Sequence, residues 1–123
     1  MQDKRRFVRL DKELSLTFER KGPTGILRGE GTTKNVSPTG LCFVTKALLG
    51  VGEKIAIALT LPHIPHPLSF EGRIKWTRPL RAKSFSFHEV GVELTHRVES
   101  DQNRYLLFIC DLLCERLVKQ KLR

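Results

Sequence analysis

Hydrophobic and polar positions alternate with a period of two along most of the chain, which predicts short half-buried strands. Leu14, Leu16 and Phe18 alternate with Glu13, Ser15, Thr17 and Glu19. Lys21-Gly22-Pro23-Thr24-Gly25 ends that strand with turn chemistry, and a less apolar strand is expected over residues 26–34. Leu41, Phe43 and Thr45 begin the next, which stops before Gly50-Val51-Gly52. Ile55, Ile57, Leu59 and Leu61 give the clearest alternation, closed by the proline-rich loop Pro62 to Pro67. Phe70, Ile74 and Trp76 share one parity, which suggests a common core face, with Glu71, Arg73 and Lys75 on the other. A basic turn at 78–83 leads to Phe85 and Phe87, then Val90, Val92 and Leu94. The parity changes between Phe87 and Val90, so a bulge or bend is expected near His88 and Glu89.

Near the end the period lengthens. Ser100 is the expected N-cap, Asp101 suits the positive end of the helix dipole, and Lys119 and Lys121 suit the negative end. Leu106, Ile109, Cys110, Leu113 and Leu117 follow helical spacing, and Tyr105, Phe108 and Leu112 broaden the apolar surface. The predicted architecture is all-β with a C-terminal helix: an antiparallel β-barrel of six to seven strands. One domain is expected over 1–123, with an N-terminal segment at 1–12, a barrel at 13–96 and the helix at 100–120.

The charge adds a constraint on partners. With 22 Lys and Arg against 13 Asp and Glu, the net charge of +9 favours phosphate-bearing partners without choosing among them. No run approaches the ~20 apolar residues of a membrane span, and MQDKRRFVRL has no apolar signal core. A cytoplasmic protein without membrane insertion is the expectation. Three cysteines, an odd number, argue against a disulfide framework, and Cys42, Cys110 and Cys114 suit small buried hydrophobes.

Catalytic signatures are missing from the sequence: there is neither a Gly-x-Ser-x-Gly elbow nor a GxxxxGK[ST] phosphate loop. His63 and His66 sit in the proline-rich loop, and His88 and His96 flank the last strand without a suggestively spaced carboxylate. His63-x-x-His66 with Cys110-x-x-x-Cys114 lacks the CxxC pair of a zinc site. The expectation is therefore no enzyme, no catalytic residue, no metal and no cofactor.

Two motifs remain. Arg5-Arg6-Phe7-Val8-Arg9 is an RxxxR, and Asn35-Val36-Ser37-Pro38-Thr39-Gly40 is a [D/N]xSxxG. Twelve arginines give about one RxxxR by chance, whereas the second motif is expected only about 0.02 times. In this order the pair resembles the signature of the PilZ domain family. The resemblance continues through Ile55 to Pro62, Gly72-Arg73-Ile74-Lys75-Trp76 and His88-Glu89-Val90-Gly91-Val92-Glu93-Leu94. It implies a PilZ-like barrel and a receptor for cyclic di-GMP, with Arg5, Arg9, Asn35, Ser37 and Gly40 as ligand-binding residues. Lys4, Arg6 and Trp76 are candidate secondary contacts.

The side-chain chemistry suits that ligand. Arginine offers a planar fork to phosphate or to guanine O6 and N7, and can stack on a base. Asn35 can accept from or donate to a guanine edge, although an aspartate there could accept from two donors at once. Ser37 supplies a hydroxyl, and Gly40 permits a turn or a close approach that a Cβ would block. Read without the arginines, Asn35 to Gly40 is an ordinary turn between two strands. The basic run Arg73, Lys75, Arg78, Arg81 and Lys83 is expected to be solvated, with Arg78 and Arg81 away from both motifs.

A switch follows as an expectation: the segment at 1–12 would fold across the barrel mouth around the ligand and signal in trans to an unidentified protein partner. Two other readings stay open. One is a PilZ-like adaptor acting by protein contact alone; the other is a basic barrel binding single-stranded nucleic acid, although no aromatic stacking platform is evident.

Overall fold

The computed structural model describes residues 8–23, 25–82 and 85–121. Seven strands run in chain order: β1 (Leu10–Asp11), β2 (Ser15–Gly22), β3 (Gly25–Ser37), β4 (Gly40–Thr45), β5 (Lys54–Leu59), β6 (Leu68–Ala82) and β7 (Phe85–Arg97). One helix, α1 (Glu99–Lys121), follows. All pairings are antiparallel, in the order β1-β3-β2-β5-β6-β7-β4, and a further β3–β4 pairing closes the sheet. The result is a closed six-strand barrel with β1 as an extra strand and α1 beside it. Closure removes the free sheet edges that an open antiparallel sheet would expose.

The alternating residues point where their period requires. Leu16, Phe18, Phe43, Ile55, Ile57, Leu59, Phe70, Ile74, Val90, Val92 and Leu94 are all buried in one core. Phe18 and Phe43 meet there with ring centroids 5.7 Å apart. Thr33 is a polar exception with a structural duty. Its Oγ1 accepts from the Leu14 amide at 2.8 Å and donates to the Lys12 carbonyl at 2.6 Å, tying the chain after β1 to β3.

Several expectations change. The strand predicted over 26–34 runs from Gly25 to Ser37, so Asn35 to Ser37 end a strand and only Pro38 and Thr39 separate β3 from β4. No bulge occurs near His88 and Glu89, since β4 and β7 stay in one register from Gly40↔Glu93 to Thr45↔His88. The parity change arises because Phe87 has the outward phase of Glu89, with Lys46 Nζ 5.8 Å from its ring centre. The register shifts fall elsewhere: between Thr33 and Asn35, between Glu71 and Gly72, and between Ile74 and Trp76. The last inserts Lys75 and turns Trp76 to the face opposite Ile74. Trp76 is therefore on the outer wall and not in the core. Arg78 and Arg81 belong to β6, not to a turn.

The helix begins earlier than Ser100. The Gln102 amide donates to the Val98 carbonyl at 2.8 Å, which places Ser100 inside the first turn. Asp101 Oδ2 accepts from the Ser69 amide at 2.9 Å and so pins the helix start to β6. The face against the barrel carries Tyr105 and Ile109, with Phe108 and Leu112 packed alongside. Leu113 and Leu117 are exposed, and so are Cys110 and Cys114, contrary to the expectation of buried thiols. Apolar residues surround this helix, so periodicity alone does not choose its buried face. Tyr105 supplies the missing constraint. Its hydroxyl donates to the Ser37 carbonyl at 2.7 Å and also lies 3.2 Å from that of Gly40, while its ring packs edge-on against Phe70.

Burial holds the Tyr105 hydroxyl protonated well above its ordinary range. Tyr105→Phe keeps the ring and removes this donor. We expect a loss of about 1.5 kcal/mol in urea unfolding with an unchanged denaturant slope. A loss below about 0.3 kcal/mol would show that the hydroxyl does not set the helix.

Candidate ligand-binding site

The β3–β4 turn is held through its carbonyls. Tyr105 bonds those of Ser37 and Gly40, Arg97 Nη1 donates to Pro38 at 3.2 Å, and the Leu94 amide donates to Thr39 at 2.9 Å. Ser37 Oγ also reaches the Gly40 carbonyl at 3.3 Å. A Cβ on Gly40 would lie 2.4 Å from the carbonyl oxygen of Val92. The close approach that Gly40 permits is thus that of β7. The turn reading of this motif holds for Ser37 to Gly40, and the same turn positions what precedes it.

Directly opposite residues in an antiparallel sheet share a face. Register therefore draws two rows across the outer wall. The first is Asp11, Asn35, Cys42, Gly91 and Trp76, on β1, β3, β4, β7 and β6. From Asn35 to Trp76 it crosses three strand gaps, or about 14 Å. The second contains Ser37, Gly40, Glu93 and Arg73, and Arg9 directly precedes β1, whose Leu10 pairs with Val36. Of the RxxxR element, Arg9 is described, and it stands at the start of β1, which lies beside the Asn35–Ser37 end of β3 on the outer wall. Arg5, Lys4 and Arg6 lie outside the described residues.

Each member of the first row has its own environment. Asn35 is half-buried, and its side chain has no hydrogen-bond partner among the described residues. An aspartate in its place would face Asp11 directly, a like-charge pair that asparagine avoids. The indole of Trp76 lies over Gly91, where a Cβ would come within 2.1 Å of its Nε1. The floor is thus the Trp76 indole laid over buried Gly91, with the small, buried Cys42 opposite that glycine. Arg9 is half-buried at one side, and it also lines a cleft of roughly 500 Å³ with Lys12, Leu112, Arg116 and Lys119.

Beside this floor sits a charged cluster that the sequence reading did not single out. Glu89 is 2% exposed. Lys34 Nζ donates to its Oε1 at 2.9 Å, and Arg78 donates to its Oε2 through Nε at 3.0 Å and through Nη2. Burial pushes the Glu89 carboxyl up, but the hydrogen bonds and charges of Lys34 and Arg78 outweigh it and hold it below the usual carboxylate range. Cys42 Sγ is 3.6 Å from Glu89 Oε1. Burial, reinforced by the Glu89 charge, raises the Cys42 thiol to about 11, only partly offset by Lys34 and Arg9, which favours the protonated thiol in the floor. Arg78 therefore stands beside the motif, not away from it. Two signals pointed here: an isolated glycine in a strand marks a close approach, and an acid amid Val90 and Val92 demands partners.

Among the described residues no group of three His, Cys, Asp or Glu side chains gathers as a metal site, and no helix is long and apolar enough to cross a membrane.

Comparison with known proteins bears on the fold and the family. No curated protein matches the sequence at a significant level. The fold is similar to K. pneumonia MrkH in its complex with c-di-GMP, with a TM-score of 0.74 at 18% identity over 97% of this chain and 57% of that one. It is similar to the PilZ domain of YcgR from Escherichia coli with c-di-GMP, with a TM-score of 0.68 at 13% identity over 97% and 98%. For the Bacillus subtilis inhibitor of motility MotI/DgrA the TM-score is 0.66 at 21% identity, over 96% and 53%. The chain spans about half the length of the MrkH and MotI chains. The PilZ domain family model matches residues 3–111, so with its barrel, both motifs and this outer wall the chain belongs to the PilZ domain family.

Proposed function

We propose that this chain is a cyclic di-GMP receptor whose ligand lies on the outer wall, held by Arg5, Arg9, Asn35 and Ser37. The observation that carries the reading is the row Asn35–Cys42–Gly91–Trp76 with Arg9 at its border. An indole surface of this kind accepts the face of a guanine, Asn35 meets a base edge, and arginine serves phosphate or base. MrkH and the YcgR PilZ domain are relatives in fold known with this ligand. Trp76 is a stacking contact, and Gly40 acts indirectly by setting the turn. Lys4 and Arg6 add attraction from the segment before β1.

The output is a change of surface read by a protein partner in trans. Tyr105 supports that part of the proposal, since it joins the motif carbonyls to α1. The segment before β1 closes over the wall when ligand binds.

Titration calorimetry at about 0.15 M salt, with cyclic di-GMP, GTP and a short oligonucleotide, tests the reading. Cyclic di-GMP should bind saturably and far more tightly than the other two. Tighter oligonucleotide binding with a steep salt dependence would replace it with the nucleic-acid reading. Arg9→Ala should weaken cyclic di-GMP binding by at least about 1.5 kcal/mol, or roughly tenfold, with little change in thermal stability. Near-wild-type affinity would take Arg9 out of the site.

A further inference from the structure

Lys34, Arg78 and Glu89 form a built cluster that neither motif includes. Lys34 is the residue that the β3 register shift inserts immediately before Asn35. Glu89 and Arg78 oppose each other on β7 and β6, two residues along from Gly91 and Trp76 on the same face. That offset is about 7 Å along the strands, so the cluster borders the floor of the proposed site. On this nucleotide-receptor reading, we infer that Lys34 and Arg78 are further ligand-binding residues that hold a phosphate of the nucleotide. Glu89 is the positioning residue that aims them.

Donor accounting excludes a guanine N–H edge, and the excess of positive charge favours a phosphate over the neutral O6 and N7 acceptors of guanine. Both Glu89 oxygens already accept, so the cluster presents no acceptor to a guanine N–H. Arg78 commits Nε and one Nη2 proton, leaving Nη1 without a partner among the described residues. An ammonium group has three donors, and Lys34 commits one of them to Glu89. Only donors face outward, and phosphate oxygens only accept. Two cations against one carboxylate also leave an excess positive charge there.

The burial pattern fits positioning. The Lys34 and Arg78 side chains are 54% and 60% exposed, whereas that of Glu89 is 3% exposed. Two exposed like charges ordinarily roam and repel. A buried, ionised carboxylate beneath them fixes both heads before ligand arrives, which lowers the ordering cost of binding.

The test titrates the full chain with cyclic di-GMP, using wild type, Lys34→Ala, Arg78→Ala, Arg78→Lys, Arg81→Ala and Arg9→Ala, each first checked by thermal melting. Lys34→Ala and Arg78→Ala should each weaken binding about tenfold. Arg78→Lys should recover part of that loss, Arg81→Ala should stay within about twofold, and the ³¹P shift of bound ligand should move in the first two variants. Glu89→Gln should weaken binding in the wild-type background but add little to a Lys34→Ala/Arg78→Ala double variant, because a positioning role is lost once both its targets are gone. A purely structural Glu89 would cost the same in both backgrounds and overturn the positioning role. Binding that falls with Arg9→Ala but stays within twofold for Lys34→Ala and Arg78→Ala would overturn the phosphate site and leave the receptor reading intact. Failure of the wild-type chain to bind would remove the receptor reading and this inference together.

Discussion

Gly40→Val is expected to destabilise the barrel by more than about 3 kcal/mol, before any effect on ligand is measured. A Cβ at position 40 would come within 2.4 Å of the Val92 carbonyl oxygen, a backbone atom in the adjacent strand. No rotamer relieves that contact; either β4 leaves β7 at Gly40↔Glu93 or the turn above it opens. The turn carries the carbonyls that Tyr105 and Arg97 bond, so the damage reaches α1. Urea unfolding should show a large fall in midpoint, or the variant should be insoluble. Ser37→Ala removes only the 3.3 Å contact to the Gly40 carbonyl and should cost less than about 1 kcal/mol. A Gly40→Val protein that unfolds like wild type but no longer binds cyclic di-GMP would return Gly40 to direct ligand contact.

Gly91→Val should have the opposite profile: a folded barrel that no longer binds. Here the added Cβ meets Trp76 Nε1 at 2.1 Å, a side-chain atom on the outer wall. The indole can swing away, and valine suits a strand. The floor, however, is then occupied by an isopropyl group and has lost its aromatic plane. Base stacking on an aromatic is worth about 1–3 kcal/mol, and steric exclusion adds to it, so the affinity for cyclic di-GMP should fall by more than about thirtyfold. The chain has one tryptophan, and its fluorescence reports the displacement directly. Shifted emission with unchanged affinity would remove both Trp76 and Gly91 from the ligand surface.

Much of the barrel is legible in the sequence because a strand period of two is a strong local signal, and Leu16, Phe18, Ile55, Ile57, Val90 and Val92 all point inward as expected. Its failures share a cause. A bulge adds a residue without any composition mark, so the inserted Lys75 reverses the face of Trp76, and the inserted Lys34 likewise shifts the phase before Asn35. The buried side of α1 depends on a hydroxyl finding two carbonyls of a distant turn, which helical periodicity does not encode. At the site, Asn35 and Ser37 were readable as a motif, and Arg9 as its partner in sequence order. Their meeting on the outer wall was not, because it depends on the two-residue strand β1 pairing with the end of β3. Glu89 carries no such motif signal for a related reason: its partners Lys34 and Arg78 are 55 and 11 residues away in the chain.

The central claim is that cyclic di-GMP sits on the wall between Arg9 and Trp76, and an ¹⁵N NMR titration of the full chain with that ligand tests it most directly. Shifts should concentrate at Arg9, Asn35, Ser37 and Gly91 and at the Trp76 indole N–H. The amides of Lys21 and Ile26, paired at the end of β3 opposite to Asn35, should stay still. Perturbations confined to Arg81 and its neighbours, or a spectrum unchanged at saturating ligand, would contradict the account.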